Sequence, residues 1–488
     1  MGGRLFARKP VAHVQAEFHT GEMKRTLGPF NLVSLGVGAI IGAGIFVMTG
    51  QAAAVYAGPA VAISFVIAGI ACTFAALCYA ELASTIPVSG SAYSYAYVTM
   101  GEVFAWTMGW LLLLEYGLAA STVAAGWTGY VVSLLHDFGL IIPPQFAESM
   151  FQYQDGALVN TGHINLVGAA GILAVSLLLV VGISESAVVN NIIVAIKMVI
   201  VLLVIGFGFM YVNTDNWHPF IPDMVTNPDG STKFGMSGVL RAAPVVFFSY
   251  IGFDAVSTAA QEAKNPQRDL PIGMIASLLI CTVLYILMSL VMTGLAPYTA
   301  LGVAHPVSAA LEAVPQLKWL EYLVNIGAVA GLSSVVLVML MGQPRIFYTM
   351  SRDGLLPKIF AKVHPKYQTP AASTWIVGII AIIIAGFFPL GLLGELVSGG
   401  TLAAFATVCI GVLVLRKRSP ELERPFRTPW VPLVPILGAG ATLYMMYQLP
   451  GLTWTLLGIW TAIGMTVYFV YGMGNSKIGK ADNTSGAK

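Results

Sequence analysis

Long uncharged apolar runs recur from one end of this chain to the other, and they decide which solvent it can fold in. An α-helix rises about 1.5 Å per residue, so about 20 apolar residues cross the hydrocarbon core of a bilayer. Runs of that length fall near 30–50, 60–83, 103–133, 163–183, 187–212 and 239–259. Six more fall near 272–295, 322–348, 373–390, 396–415, 430–447 and 452–471. Only 9% of the residues are charged, against about 25% in soluble domains, and a water-facing surface built from the rest would be one large apolar patch. In lipid every backbone N–H and C=O must be satisfied within the chain, which a succession of helices achieves. The sequence therefore predicts an all-α membrane protein of about twelve spans, with a short hinge at 184–186 between the fourth and fifth.

The few charges fix an orientation. Lys and Arg concentrate in the N-terminal tail, in the 6–7, 8–9 and 10–11 loops and in the C-terminal tail. On the other side stand only Lys233, Arg241 and Lys318, while the 3–4 loop carries Asp137, Glu148 and Asp155 without a basic residue. This is the positive-inside asymmetry, and it predicts both termini in the cytoplasm and an even number of spans. Residues 1–29 read as a polar tail rather than a cleavable signal, and 472–488 as a second tail. Cys72, Cys78, Cys281 and Cys409 all lie inside apolar runs without metal-ligand spacing, so core positions without a disulfide are expected.

Two spans are interrupted. The first contains four glycines in the run Gly36-Val37-Gly38-Ala39-Ile40-Ile41-Gly42-Ala43-Gly44, and each costs a helix interior about 1 kcal/mol relative to Ala. Taken alone the run fits either close helix packing or an unwound stretch. The sixth span repeats the theme in Phe248-Ser249-Tyr250-Ile251-Gly252-Phe253-Asp254, with an acidic residue inside the apolar run. Gly42 and Gly252 each fall in the first helix of a set of five. Interruptions at matching positions of two halves point to a transporter binding site. Half-helix N-termini offer N–H groups to a carboxylate, and half-helix C-termini offer carbonyls to an ammonium. A zwitterion satisfies both, which favours amino acids; a sugar or a drug would not need the arrangement.

The run Gly38-Ala39-Ile40-Ile41-Gly42-Ala43-Gly44-Ile45-Phe46 resembles the first-span signature of the amino acid–polyamine–organocation superfamily. Pro87-Val88-Ser89-Gly90-Ser91-Ala92-Tyr93 is similar to the family's second motif. The stretch Ile251-Gly252-Phe253-Asp254 through Glu262, Asn265-Pro266 and Pro271 matches a third, and Ser351-Arg352-Asp353-Gly354-Leu355-Leu356-Pro357 a fourth. They cover most of 30–430, and the chain looks most like bacterial relatives of the cationic amino acid transporters. The resemblance implies a LeuT-like fold: a first five-helix repeat over 30–212, an inverted second over 239–415, and two extra helices over 430–471. It implies substrate between spans 1 and 6, with the break at Gly42, the amides of Ala43 and Gly44 on the carboxylate, and the carbonyls of Ile40, Phe248, Ser249 and Ile251 on the ammonium. Phe248, Phe253 and Leu332 would line the side-chain pocket and suit small neutral amino acids, with cationic ones left open. Where the family has two adjacent acidic residues this chain has Gln261-Glu262, so Gln261 is expected to affect gating.

Ionisable residues within spans are functional by default. Lys197 sits at mid-depth in Val194-Ala195-Ile196-Lys197-Met198-Val199-Ile200. By resemblance its ammonium takes the place of a sodium ion, with the Gly38 carbonyl and Ser334, and also Ser333, as expected partners, and it is a candidate proton carrier. Glu115, in Leu112-Leu113-Leu114-Glu115-Tyr116-Gly117, is expected near the substrate or in proton transfer with Lys197, unless it serves packing. Asp254 is open between a structural and a functional role, and Glu81 reads as a gating or structural residue that pairs with loop cations. No cofactor or metal is expected. The seven His are isolated, and no H-E-x-x-H, G-x-S-x-G or Walker run appears, which argues against a multi-span enzyme. The expectation is a proton-coupled amino acid symporter of the cell membrane, with exchange and uniport as alternatives and room for a small single-span partner subunit.

Overall fold

The computed structural model describes residues 5–10, 25–87, 90–154, 157–181, 187–226, 232–260, 262–367 and 369–478. The hinge expected at 184–186, Gln261, and Val88 and Ser89 of the second motif lie outside the described residues. Among the described residues eight helical segments are long and apolar enough to cross a membrane, and Leu166–Val181, Ala371–Phe387 and Leu433–Tyr447 are shorter apolar helices. One of the eight, Pro29–Thr85, doubles back at Gly58–Ala60 and supplies two crossings, which brings the total to twelve. The turn needs Gly58, whose φ is +61°, followed by Pro59, which lacks the N–H to continue a ladder.

The first crossing is α1 (Pro29–Ile40) followed, after a break, by α2 (44–57). Then come α3 (Val61–Thr85), a short buried helix α4 (Ser91–Thr99), and α5 (Glu102–Asp137). The first half closes with α6 (Leu166–Val181) and α7 (Ala187–Phe209). The second half opens with α8 (Gly235–Phe247), a break, and α9 (Ala255–Thr258). It continues through α10 (Pro266–Leu295), α11 (Pro306–Glu312), α12 (Lys318–Arg352), α13 (Ala371–Phe387) and α14 (Leu390–Arg418). Last are α15 (Leu433–Tyr447) and α16 (Gly451–Val467).

Spans 7, 8 and 10 begin or end well outside their apolar runs. Pro266 starts α10 at a position where no N–H is needed, and α12 and α14 run on into Arg352 and Arg418, whose charges suit helix C-termini. Hydropathy marks where a helix is dry, not where its hydrogen bonds stop.

The packing repeats with an offset of one half. α3 lies against α10, α5 against α12, and α6 against α13. In each case a crossing of the first half meets its counterpart in the second. Other contacts come in matched pairs: α1 on α10 and α8 on α3; α7 on α10 and α14 on α3; α7 on α12 and α14 on α5. An odd number of crossings per half makes the second half thread the bilayer in the opposite sense, so matched contacts mean an inverted repeat. α15 and α16 stand outside this pattern, against α14. α16 is fixed to α5 by a Trp106–Trp110–Trp460 stack with centroids 5.8 and 4.8 Å apart, in which Trp110 and Trp460 each donate an indole N–H to the other's carbonyl.

At the end of the bundle away from the chain termini, the 138–165 connection carries an antiparallel hairpin, β1 (Phe151–Gln154) with β2 (Ala157–Asn160). The 296–317 connection, with α11, lies over α2: Gln51 donates to the Val303 carbonyl, and Gly50 abuts Pro306. Sequence patterning sees neither, because both are short and neither is apolar enough to register.

Candidate functional site

The two interruptions meet at the centre of the bundle. In the first crossing the helical ladder runs as far as the Ile41 N–H on the Val37 carbonyl and resumes with the Phe46 N–H on Gly42. The amides of Gly42, Ala43, Gly44 and Ile45 therefore form the first turn of a new helix, whose N–H groups have no intrahelical acceptor. In the sixth crossing α8 tightens into a single turn at Phe248–Tyr250, the chain extends at Ile251, and Gly252 takes φ +120° before α9 begins. A Cβ on Gly252 would fall 2.8 Å from the carbonyl carbon of Ala39, and one on Gly44 would collide with the backbone of Ser249. The glycines are what let the two broken strands of backbone touch.

Ile40, Gly42, Ala43, Gly44, Phe248, Ser249, Ile251, Phe253 and Leu332 are all buried. Ile40 and Ser249 share a partner the sequence reading missed. The Tyr285 hydroxyl of α10 lies 2.7 Å from the Ile40 carbonyl and 2.8 Å from the Ser249 carbonyl. Tyr285 reads in sequence as one more aromatic in an apolar run, so nothing local marks it. A tyrosine has one hydrogen to give, and two carbonyls compete for it. The Ser249 hydroxyl beside them is buried without a partner among the described residues. The Phe248 carbonyl accepts from the Ile251 N–H at 3.3 Å, within the turn. Val335 of α12, unremarkable in sequence, faces the first break; a Cβ on Gly42 would meet its methyl at 3.1 Å. Phe253 packs on Tyr79 and Phe405, at 5.8 and 5.0 Å between centroids, which sets it in an aromatic group toward α3 and α14.

Lys197 of α7 is 1% exposed, and its ammonium donates to the carbonyls of Gly38 at 3.1 Å and Ile41 at 3.2 Å, the last carbonyls before the first break. Those carbonyls are free because no helix continues to use them. Its stem lies against Gly331 of α12, and the Ser334 hydroxyl donates to the Gly331 carbonyl, while Ser333 donates to Val329. Glu115 and Asp254 are both buried, and among the described residues Glu115 Oε2 and Asp254 Oδ2 meet no hydrogen-bond donor. Glu81 takes a bidentate pair from Arg416 at 2.9 and 2.6 Å, a contact with Arg424 at 3.4 Å and the N–H of Thr428 at 2.7 Å, a fully satisfied buried carboxylate that ties α3 to the 419–432 connection. The four cysteines are free and buried.

Comparison with known proteins agrees with this architecture. The profile of the amino acid permease family matches residues 27–479. The methylthioribose transporter of Bacillus subtilis is 48% identical over 98% of this chain and 99% of its own length. The branched-chain amino acid permease BcaP of the same organism is 45% identical over 98% of this chain and all of its own length. The vacuolar cationic amino acid transporter 4 of Arabidopsis thaliana is 40% identical over 86% of this chain and 68% of its own. These relatives are transporters rather than enzymes, and by both profile and full-length likeness the chain belongs to the amino acid permease family of multi-pass membrane transporters.

Proposed function

We propose that this permease carries α-amino acids across the cell membrane, with both termini in the cytoplasm, and that an inward proton gradient drives it. The observation that carries the substrate class is the imbalance at the two breaks. Ile40 and Ser249 present carbonyls that share one Tyr285 proton, and a few residues away the amides of Ala43 and Gly44 begin a helix. Such a site has surplus acceptors at one edge and surplus donors at the other. An ammonium brings three donors to the first, and a carboxylate brings acceptors to the second. The burial of the Phe248 and Leu332 side chains suits small and branched neutral side chains, in keeping with the branched-chain permeases among the relatives.

For the proton, the reading rests on Lys197. Its ammonium bridges α7 to the end of α1, a role that a free cation could otherwise fill. Loss of its proton removes a charge-assisted link to two carbonyls and frees α1 to move. A second reading is kept because one relative is named a methylthioribose transporter. That ligand has hydroxyls but no opposite charges, so the two readings separate in one assay. The purified protein in proteoliposomes, with pH imposed across the bilayer, should accumulate labelled alanine or leucine without sodium, and methylthioribose should not compete at equal concentration. Lys197→Met and Lys197→Arg should both lose gradient-driven accumulation, Arg because it keeps its proton. A strict sodium requirement, or full accumulation by Lys197→Met, would refute the coupling; transport of methylthioribose alone would refute the substrate class.

A further inference from the structure

An exposed side of α10 carries a cleft that transport does not use. Its volume is about 620 Å³, and it runs from Arg268 past Ile272 and Ile275 to Leu279, with Pro425 and Phe426 of the 419–432 connection as its other wall. α10 turns a different side to the transport core, where Gly273 abuts Leu32 and Ser277 abuts Gly36 of α1. The helical period puts Arg268, Ile272, Ile275 and Leu279 on one stripe. Ile272 is 37% and Leu279 50% exposed, so the stripe lies open. From Arg268 to Leu279 the helix rises about 16 Å, the depth of one leaflet in a hydrocarbon core about 30 Å thick. The charged end lies on the side of the chain termini, because Ala263, just before α10, pairs with Leu27, just before α1. Arg268 is exposed, as is Arg427, the residue after Phe426, and among the described residues neither forms an ion pair. Glu81 takes up Arg416 and Arg424. Lys417, Arg418 and Arg427, with Arg268, still outnumber Glu421 and Glu423, so the surface around this connection is net positive.

We propose that an acidic phospholipid of the cytoplasmic leaflet seats in this cleft, with its phosphate on Arg268 and one acyl chain along Ile272, Ile275 and Leu279. A guanidinium offers a planar fork of N–H donors that matches phosphate oxygens. The stripe below it offers apolar surface over the length of one chain. A soluble anion would use the first feature and leave the second idle. An uncharged lipid would use the second and leave the guanidinium without a counter-ion. A choline headgroup would bring its own cation to a surface that is already positive, whereas a headgroup of net negative charge uses everything the cleft offers. The lipid so held touches both α10 and the 419–432 connection, and Glu81 fixes that connection to α3 through Arg416, Arg424 and the Thr428 N–H. It therefore braces the cytoplasmic end of α10 from the side opposite α1. The leaflet rests on the orientation proposed above; the binding rests on neither the substrate nor the proton.

The test titrates the purified full chain in detergent with phosphatidylglycerol or phosphatidylcholine and reads bound lipid by native mass spectrometry. The wild type should retain one phosphatidylglycerol more tightly than any phosphatidylcholine. Arg268→Gln should weaken that binding about fivefold, the effect of one basic residue near an acidic headgroup. Leu279→Trp, at a position exposed enough to accept the larger ring, should weaken it too by filling the apolar end. Lys358→Gln removes an exposed charge of another loop and should leave it unchanged. Equal retention of the two lipids, unchanged binding in Arg268→Gln, or an equal loss in Lys358→Gln overturns the proposal, the last because it would mean diffuse attraction to the whole basic face. Glycerol phosphate, which has the charge without the chains, should not displace the lipid; displacement at equal concentration, or a bound mass that is a polypeptide, overturns it as well. A phosphatidylglycerol with a photoreactive acyl chain should label 267–279 and 425–426, and labelling confined to other segments refutes the placement. None of these readouts needs uptake, so failure here and failure of the transport reading are told apart.

Discussion

Gly252 shows how much one residue without a side chain holds in place. At φ +120° an L side chain is strained, and the space a Cβ would need is taken by Ala39. Strain of this kind costs about 1–3 kcal/mol at one position. Gly252→Ala should therefore lower the thermal unfolding midpoint in detergent, and uptake should fall at least tenfold as the two breaks are pushed apart; equal stability and uptake would show that the backbone contact is dispensable. Gly44 has a related geometry: a Cβ there would strike Ser249. Glycine in the motif run marks the approach of one chain segment to another. What touches it cannot be read from the run, because the partner lies some 200 residues away.

At the scale of elements, the long crossings were legible because lipid imposes a length and an apolarity on each. The connections were not. α11 and its flanking loop cover the distal end of α2, and His305 sits where this cover meets the bundle. Its ring packs edge-on against Tyr130 of α5 at 6.4 Å, and the Tyr130 hydroxyl donates to the Phe46 carbonyl, one turn past the first break. Burial pushes the His305 pKa below its usual range, against the pull of Glu312 and Asp137. The folded protein therefore resists taking a proton that the unfolded chain accepts near pH 6.5. Stability from this residue is complete above that pH and declines as pH falls through it toward the lower folded value. His305→Gln should reduce the loss of unfolding midpoint between about pH 7.5 and pH 5.5. A variant as acid-sensitive as wild type would exclude His305 as the source.

Across the whole molecule, both chain ends fasten to one corner. Lys9 pairs with Asp353 at 3.2 Å, Tyr93 donates to the same carboxylate at 2.7 Å, and the Glu102 N–H bonds to the Ala7 carbonyl. From the other end of the chain, Ser476 donates to Glu102 and the Lys477 N–H to the Asp353 carbonyl. The Ser-Arg-Asp-Gly motif was visible in sequence, but its role as a common anchor needs contacts between residues more than 340 positions apart. Lys9→Met should leave a buried carboxylate with one partner fewer and cost about 1–3 kcal/mol, lowering the unfolding midpoint, while Lys9→Arg should retain most of it. Equal midpoints for wild type and Lys9→Met would show that the strap carries no load.

The matched contacts of the two halves carry a consequence for the shapes this protein can take. If each half can adopt either of two internal arrangements, and the halves are alike but upside down relative to each other, then giving each half the other's arrangement produces a molecule turned over in the membrane. Its opening would face the opposite compartment, and its interfaces would be assembled from equivalent contacts. The energies of the two forms would then differ only where the sequences of the halves differ. Alternation between compartments would in this sense be a near-tie built into the geometry, decided by the residues that break the symmetry.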